Sequence, residues 1–175
     1  MRLILVRHGQ TDWNLNHLMQ EMTDIPLNET GKMQAFNAKE KLKNVKLDIC
    51  FSSPLSRAIE TAKIITGLDI IIDKRIIERS AGSLEGKDSE LYKKHNYYDF
   101  KLNSNEYGVE TAKDLFARAS DFLNDIKEKY SDKTVLVVSH GATIRALHYI
   151  ITGYDEKTNF LEMKIPNCSI LEYEI

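Results

Sequence analysis

Apolar residues along this chain fall into two kinds of run. Residues 3–6, 47–51, 69–72 and 134–138 are short, nearly uninterrupted aliphatic stretches, which predicts strands of a sheet covered on both faces. Residues 169–175 set Ile170, Glu172 and Glu174 against Leu171, Tyr173 and Ile175, and that alternation predicts an edge strand. Between the strands the spacing lengthens to a helical period. Leu55, Ala58, Ile59, Ala62 and Ile65 form one face of a helix predicted to open with Ser53 as cap and Pro54 in its first turn, and to close at Gly67. Leu115, Ala119, Phe122, Ile126 and Tyr130 recur in steps of four, three, four and four, a second helix over 111–130. Two more are predicted over about 30–42 and over 142–152, the latter ended by Gly153. Strands alternating with helices predict an α/β fold of three layers, α/β/α. The stretch 87–108 is irregular, charged and rich in Asn, and it carries Tyr92, Tyr97, Tyr98, Phe100 and Tyr107. It is a candidate lid, the alternative being a surface insertion whose rings anchor it to the core.

Composition narrows the classes. With 175 residues, 42% of them hydrophobic and 29% charged, the chain suits one globular domain over 1–175 with a core large enough to need no staple. Twenty-four basic against 26 acidic residues leave a net charge of −2, which argues against nucleic acid as a partner. No apolar run approaches the roughly 20 residues that span a bilayer, so no membrane partner is expected. Arg2 precedes only four apolar residues, too few for a secretory signal. Cys50 and Cys168 each sit among apolar neighbours and are expected as buried thiols of a cytoplasmic protein, a disulfide being the alternative.

Candidate chemistry concentrates where strands end. Arg7-His8-Gly9 follows the first predicted strand and Ser139-His140-Gly141 the fourth; in open α/β sheets, ligands bind beyond the carboxyl ends of the strands. The second is followed by Ser52 to Arg57, placing Arg57 in the first turn of a helix whose free N–H groups attract an anion. The third leads through Asp73 to Glu78. Two histidines, two arginines and one acid at one sheet edge describe a pocket for a phosphoryl group, because guanidinium forks match its oxygens. In such a pocket His8 is the candidate nucleophile toward phosphorus, Glu78 the acid that protonates the departing alkoxide, and Arg7, Arg57 and His140 the holders of the phosphoryl oxygens. His17, His95 and His148 lack this placement and are expected to face solvent or pack on helices. Arg2, Arg75, Arg79, Arg118 and Arg145 are expected as surface charges. No metal site is predicted, since neither His-Glu-x-x-His, paired Cys-x-x-Cys nor an Asp-rich loop occurs. Residues 81–88 (AGSLEGKD) miss the nucleotide-binding P-loop at both ends, with Ala81 for glycine and Asp88 for a hydroxyl.

Several blocks taken together resemble a known family. They are LVRHGQTDWN at 5–14, Gln20, DIPL at 24–27, Thr30-Gly31, SSPLSRAIET at 52–61, Glu78 with Gly82, GVET at 108–111 and SHGATIR at 139–145. In this order, over nearly the whole chain, they resemble the histidine phosphatase superfamily in its phosphoglycerate mutase-like branch. The resemblance implies a mainly parallel, mixed central sheet and a phosphorylated His8. It also implies a phosphate pocket of Arg7, Arg57 and His140, with Glu78 as proton donor and Asn14, Gln20 and the backbone near Gly141 as substrate contacts. A small phosphorylated metabolite is the expected partner, no cofactor is expected, and a homodimer is the candidate assembly. Mutases of the family carry arginines after the acid, whereas 87–108 has none, so a phosphatase is expected, with α-ribazole phosphate or sugar phosphates among candidate substrates. A cofactor-dependent phosphoglycerate mutase and a catalytically silent phosphate-binding module are the alternatives. Glu21 stands where the family commonly has glycine, Leu84 where tryptophan is frequent, and Arg79 directly follows the acid. Glu21 is expected to disfavour a substrate with extra negative charge.

Overall fold

The computed structural model describes residues 1–91, 100, 103–155 and 157–175. Five strands, β1 (Arg2–Arg7), β2 (Ile49–Ser52), β3 (Ile70–Ile72), β4 (Thr134–Ser139) and β5 (Ile170–Glu174), form one sheet in the order β3-β2-β4-β1-β5. All neighbours run parallel except β5, which pairs antiparallel with β1 at the edge. The helices are α1 (Asp12–Leu15), α2 (Glu29–Leu42), α3 (Ser56–Ile65), α4 (Ala112–Lys129) and α5 (Gly141–Thr152).

The two-residue period of a strand divides the core into layers. Leu3, Leu5, Phe51, Val135 and Val137 pack with Leu115, Phe122 and Ile126 of α4 and with Ile144 and Leu147 of α5. Their neighbours Ile4, Val6, Cys50, Leu136 and Val138 pack on the opposite face with Ala35, Ala38 and Leu42 of α2 and Ala58, Ala62 and Ile65 of α3. This is the expected α/β/α sandwich. Each fully buried aliphatic side chain contributes about 1.5–3 kcal/mol of transfer energy, so β1 and β4, buried throughout their centres, are the most firmly held elements. The edge strand β3 departs from expectation: Ile71 and Ile72 are 42% and 46% exposed. A three-residue strand at the rim has partners on one side only, and its aliphatic run does not mean two-sided cover.

Cys50 and Cys168 are buried free thiols, and burial pushes each up to about 12. Among the described residues no helix is long and apolar enough to cross a membrane. Of the candidate lid, Tyr92, Tyr97 and Tyr98 lie outside the described residues. Phe100 packs edge-on against Phe116 at 4.8 Å and lies 5.3 Å from Phe160, a core anchor. Tyr107 is partly exposed, with φ 62°.

Candidate active site

The parallel register between β1 and β4 sets Arg7 opposite Ser139, and the His8 N–H donates to the Ser139 carbonyl at 2.9 Å. The histidines that follow the two strands therefore meet, with ring centroids 5.0 Å apart. Their glycines differ in function. A Cβ on Gly9 would collide with the backbone of Gly31, and one on Gly31 with that of Gln10, so this pair lets α2 begin against the His8 loop. A Cβ on Gly141 would make only ordinary contacts, 3.7 Å from Arg7 Cζ and 3.8 Å from Glu78 Oε2.

A cavity of about 320 Å³ opens beside His8, lined also by Arg7, Asn14, His17, Gln20, Glu21, Arg57, Glu78, Ser89 and Asn167. That volume suits a small metabolite. His140 stands behind it, wholly buried, and Gly141 opens α5 next to Arg7 and Glu78. The sequence-predicted residues thus converge, with the His140 ring as backing to the cavity wall.

The hydrogen bonds fix which atoms are available. His8 Nδ1 lies 2.7 Å from the Gly9 carbonyl oxygen; that oxygen only accepts, so the proton is on Nδ1 and a neutral ring keeps its lone pair on Nε2. Burial, with Arg7 and Arg57 adding to it, holds His8 well below the usual histidine value. Burial and the same arginines do likewise for His140. His140 Nε2 is 2.7 Å from Ser53 Oγ, which accepts the Leu55 N–H at 3.3 Å. With Ser53 donating its hydroxyl proton to Nε2, the His140 proton sits on Nδ1, a buried atom with no protein partner.

Arg7 Nη1 donates to the Ile165 carbonyl at 2.6 Å. Arg57 Nη1 and Nη2 donate to the carbonyls of Thr23 and Glu21. The Nε atoms of both arginines are buried and unpartnered, donors that an anion would satisfy. Asn14 Oδ1 accepts from the Thr11 N–H and from Asn167, and Gln20 Oε1 accepts from the Thr11 hydroxyl at 2.7 Å. Each amide has its oxygen engaged within the protein, which leaves its N–H groups for a ligand.

Two expectations need correction. Helix α3 starts at Ser56, two residues later than Ser53-Pro54 predicts, and its end is closed from afar: the Ser56 N–H and hydroxyl both donate to Asp24 Oδ1 at 2.8 Å. At α5 the Ala142 and Thr143 N–H groups donate to the Glu78 carboxylate, which also accepts from the Arg79 N–H at 2.9 Å. Both helix N-termini thus hold protein carboxylates, and the open anion donors are side chains. Arg79 and Arg118 are also not surface charges. Arg79 is wholly buried, its Nε donating to the Glu110 carbonyl, and Arg118 grips the carbonyls of Arg75 and Ile77 while pairing with Glu110. They brace the segment that carries Glu78.

Glu85 and Asn167 act in ways the sequence reading missed. The Glu85 carboxylate accepts from the N–H groups of Met22 and Thr23 and the Thr23 hydroxyl, clamping the loop that holds Arg57. Asn167 Nδ2 donates to the His8 carbonyl at 3.0 Å. An antiparallel edge strand begins at the sheet edge where parallel strands end, so the residues before β5 belong to the site by topology.

Burying two neutral histidines makes the fold acid-sensitive. Between their lowered folded values and the ordinary 6.5, the unfolded chain binds the protons and the native state does not, so stability falls as pH drops below about 6.5. The slope reaches at most about 1.4 kcal/mol per pH unit for each ring. In Glu21→Gln, which removes the opposing contribution of the raised Glu21 carboxyl, urea midpoints measured from pH 8 to pH 5 are expected to fall below 6.5; a flat series contradicts the assignment.

Comparison with known proteins places this geometry. A family model described as the histidine phosphatase superfamily (branch 1) matches residues 3–175. The uncharacterised phosphatase PhoE of Bacillus subtilis (strain 168) is 42% identical over 154 residues, covering 86% of this chain and 77% of that protein. A 2,3-bisphosphoglycerate-dependent phosphoglycerate mutase of Mesorhizobium japonicum is 35% identical over 167 residues, covering 86% and 81%. Among solved structures, phosphoserine phosphatase from Entamoeba histolytica in complex with 3-phosphoglyceric acid superposes with a TM-score of 0.82 at 30% identity, covering 98% of this chain and 89% of that one.

Proposed function

The chain belongs to branch 1 of the histidine phosphatase superfamily, and from that premise we propose that it hydrolyses a phosphomonoester of a small metabolite through a phosphohistidine at His8. The observation that carries this reading is the state of His8. Its ring is buried and neutral, its Nδ1–H is tied to the Gly9 carbonyl so that Nε2 keeps its lone pair, and the charges of Arg7 and Arg57, whose Nε atoms are unpartnered, act on it. A neutral imidazole held this way attacks phosphorus without first losing a proton, and its orientation is fixed before substrate arrives.

In this reading Arg7 and Arg57, the His140 Nδ1–H and the amide N–H groups of Asn14 and Gln20 receive the phosphoryl oxygens. They hold these most tightly as charge spreads over the equatorial positions. The ester P–O bond breaks as the N–P bond forms, and Glu78 gives its proton to the leaving alkoxide. Water then attacks the phosphohistidine, Glu78 takes a proton back, and His8 is released with inorganic phosphate. The phosphatase name of the 42%-identical relative supports hydrolysis. A mutase reading, favoured by the 35%-identical relative, differs only in the acceptor of the second step.

The test is release of phosphate from p-nitrophenyl phosphate and from a panel of phosphorylated metabolites, in excess chelator. Turnover is expected on several of them, with phosphoglycerate interconversion at most a minor reaction. Phosphate binding without turnover would instead support a binding module, and interconversion faster than hydrolysis the mutase.

A further inference from the structure

Glu21 occupies an unusual position in the cavity wall. Its backbone lies at φ 31°, in the left-handed region that residues other than glycine seldom adopt. It is held there because Arg57 donates to its carbonyl and Glu85 grips the two residues that follow. Strain kept in place by surrounding hydrogen bonds at a cavity is a reason to ask what the side chain does. The side chain borders the same space as Arg7, His8, Arg57 and Glu78, and among the described residues its carboxylate meets no hydrogen-bond donor.

A count of charge shows the consequence. Arg7 and Arg57 are the permanent cations among the described lining residues, and together they match a phosphoryl dianion. With Glu78 also lining the cavity, no cation remains to balance Glu21 or a second anion on the substrate. We propose that Glu21 selects the substrate: the cavity takes phosphomonoesters whose organic part is neutral or cationic near the phosphoryl group, and rejects those carrying a carboxylate or second phosphate there. This rests on the phosphatase reading above and specifies the chemical class on which that activity falls. The electrostatics agree. Burial first, then the neighbouring Glu78 charge, push the Glu21 carboxyl well above the usual carboxylate value, with Arg57 and Arg7 opposing, so its charge and the selectivity with it develop as pH rises toward the assay pH of 8. The place where it sits is therefore already hostile to negative charge before a substrate adds more. An ammonium or hydroxyl group on the substrate would supply the donor that the carboxylate lacks.

The test compares kcat/KM at pH 8 for glycerol 3-phosphate, phosphoethanolamine and 3-phosphoglycerate, esters of similar size that differ in charge, with p-nitrophenyl phosphate as reference. The native enzyme is expected to prefer the first two. Glu21→Gln is expected to shift the preference toward 3-phosphoglycerate by about 10-fold, the factor a single nearby charge commands at a partly solvated site, mostly through KM. Glu21→Asp is expected to keep the native order. Because the readout is a ratio between substrates of one enzyme, a general loss of folded protein does not move it. The proposal is overturned if Glu21→Gln leaves the ratio unchanged, or if the native enzyme prefers 3-phosphoglycerate. Failure to hydrolyse any ester, p-nitrophenyl phosphate included, would instead overturn the phosphatase reading and this selectivity with it.

Discussion

His8→Ala is expected to lower kcat on p-nitrophenyl phosphate by about 10⁴- to 10⁶-fold, the range seen when a covalent nucleophile is removed from a unit that acts together. The expectation follows from what remains. Without the ring, the buried, unpartnered Nε atoms of Arg7 and Arg57 and the Nδ1 of His140 remain, so the ester is still expected to bind, but a water in place of the imidazole would be a weaker nucleophile with no fixed position. Among the described residues, His140 does not replace it, because its Nε2 is engaged with Ser53. The variant should also fold, because it removes a buried ring that acid would otherwise charge, and its urea midpoint at pH 5 should drop less than that of the native chain. Rapid acid or base quench with a labelled substrate gives the direct check. An acid-labile, base-stable phosphoryl adduct is expected on the native chain and none on the variant; a kcat within tenfold of native would dismiss His8 as the nucleophile.

How far the sequence anticipates such a site depends on whether the interaction is local. Strands β1, β2 and β4 and the α4 face from Leu115 to Ile126 are legible because period and burial coincide there. The convergence of His8, Arg57, Glu78 and His140 is legible because parallel strands all deliver their carboxyl ends to one edge. What escapes notice is settled across long separations. Ser53 has the look of a helix cap, yet its hydroxyl is committed to His140, 87 residues away, and capping passes to Asp24, 32 residues before the helix. Arg79 and Arg118 have no apolar pattern to mark them as buried; their place is set by the carbonyls of Glu110, Arg75 and Ile77. Asn167 reaches His8 because β5 runs against its neighbour, a consequence of strand direction that composition does not carry.

Glu78→Gln is the second large effect, and it should depend on the leaving group. An alkoxide must be protonated as it departs, so alkyl phosphates are expected to lose about 10³-fold or more in kcat/KM, within the range that general acid catalysis commonly supplies. Nitrophenolate leaves unaided, so phosphorylation of His8 by p-nitrophenyl phosphate should be slowed far less. The second step still needs a base to take the proton from water, however, and glutamine cannot provide one. The variant should therefore accumulate phosphohistidine: a burst of nitrophenolate stoichiometric with enzyme, followed by a slow steady state. Position contributes as well. The native carboxylate accepts from the N–H groups of Arg79, Ala142 and Thr143, and an amide would turn one of its own donors toward these, loosening the side chain from the helix end that aims it. That loosening alone would slow both esters alike and leave no burst. Unequal losses on alkyl and nitrophenyl esters, together with a trapped adduct, are thus the result that assigns Glu78 the proton; equal losses without a burst would reduce it to a structural anchor of α5.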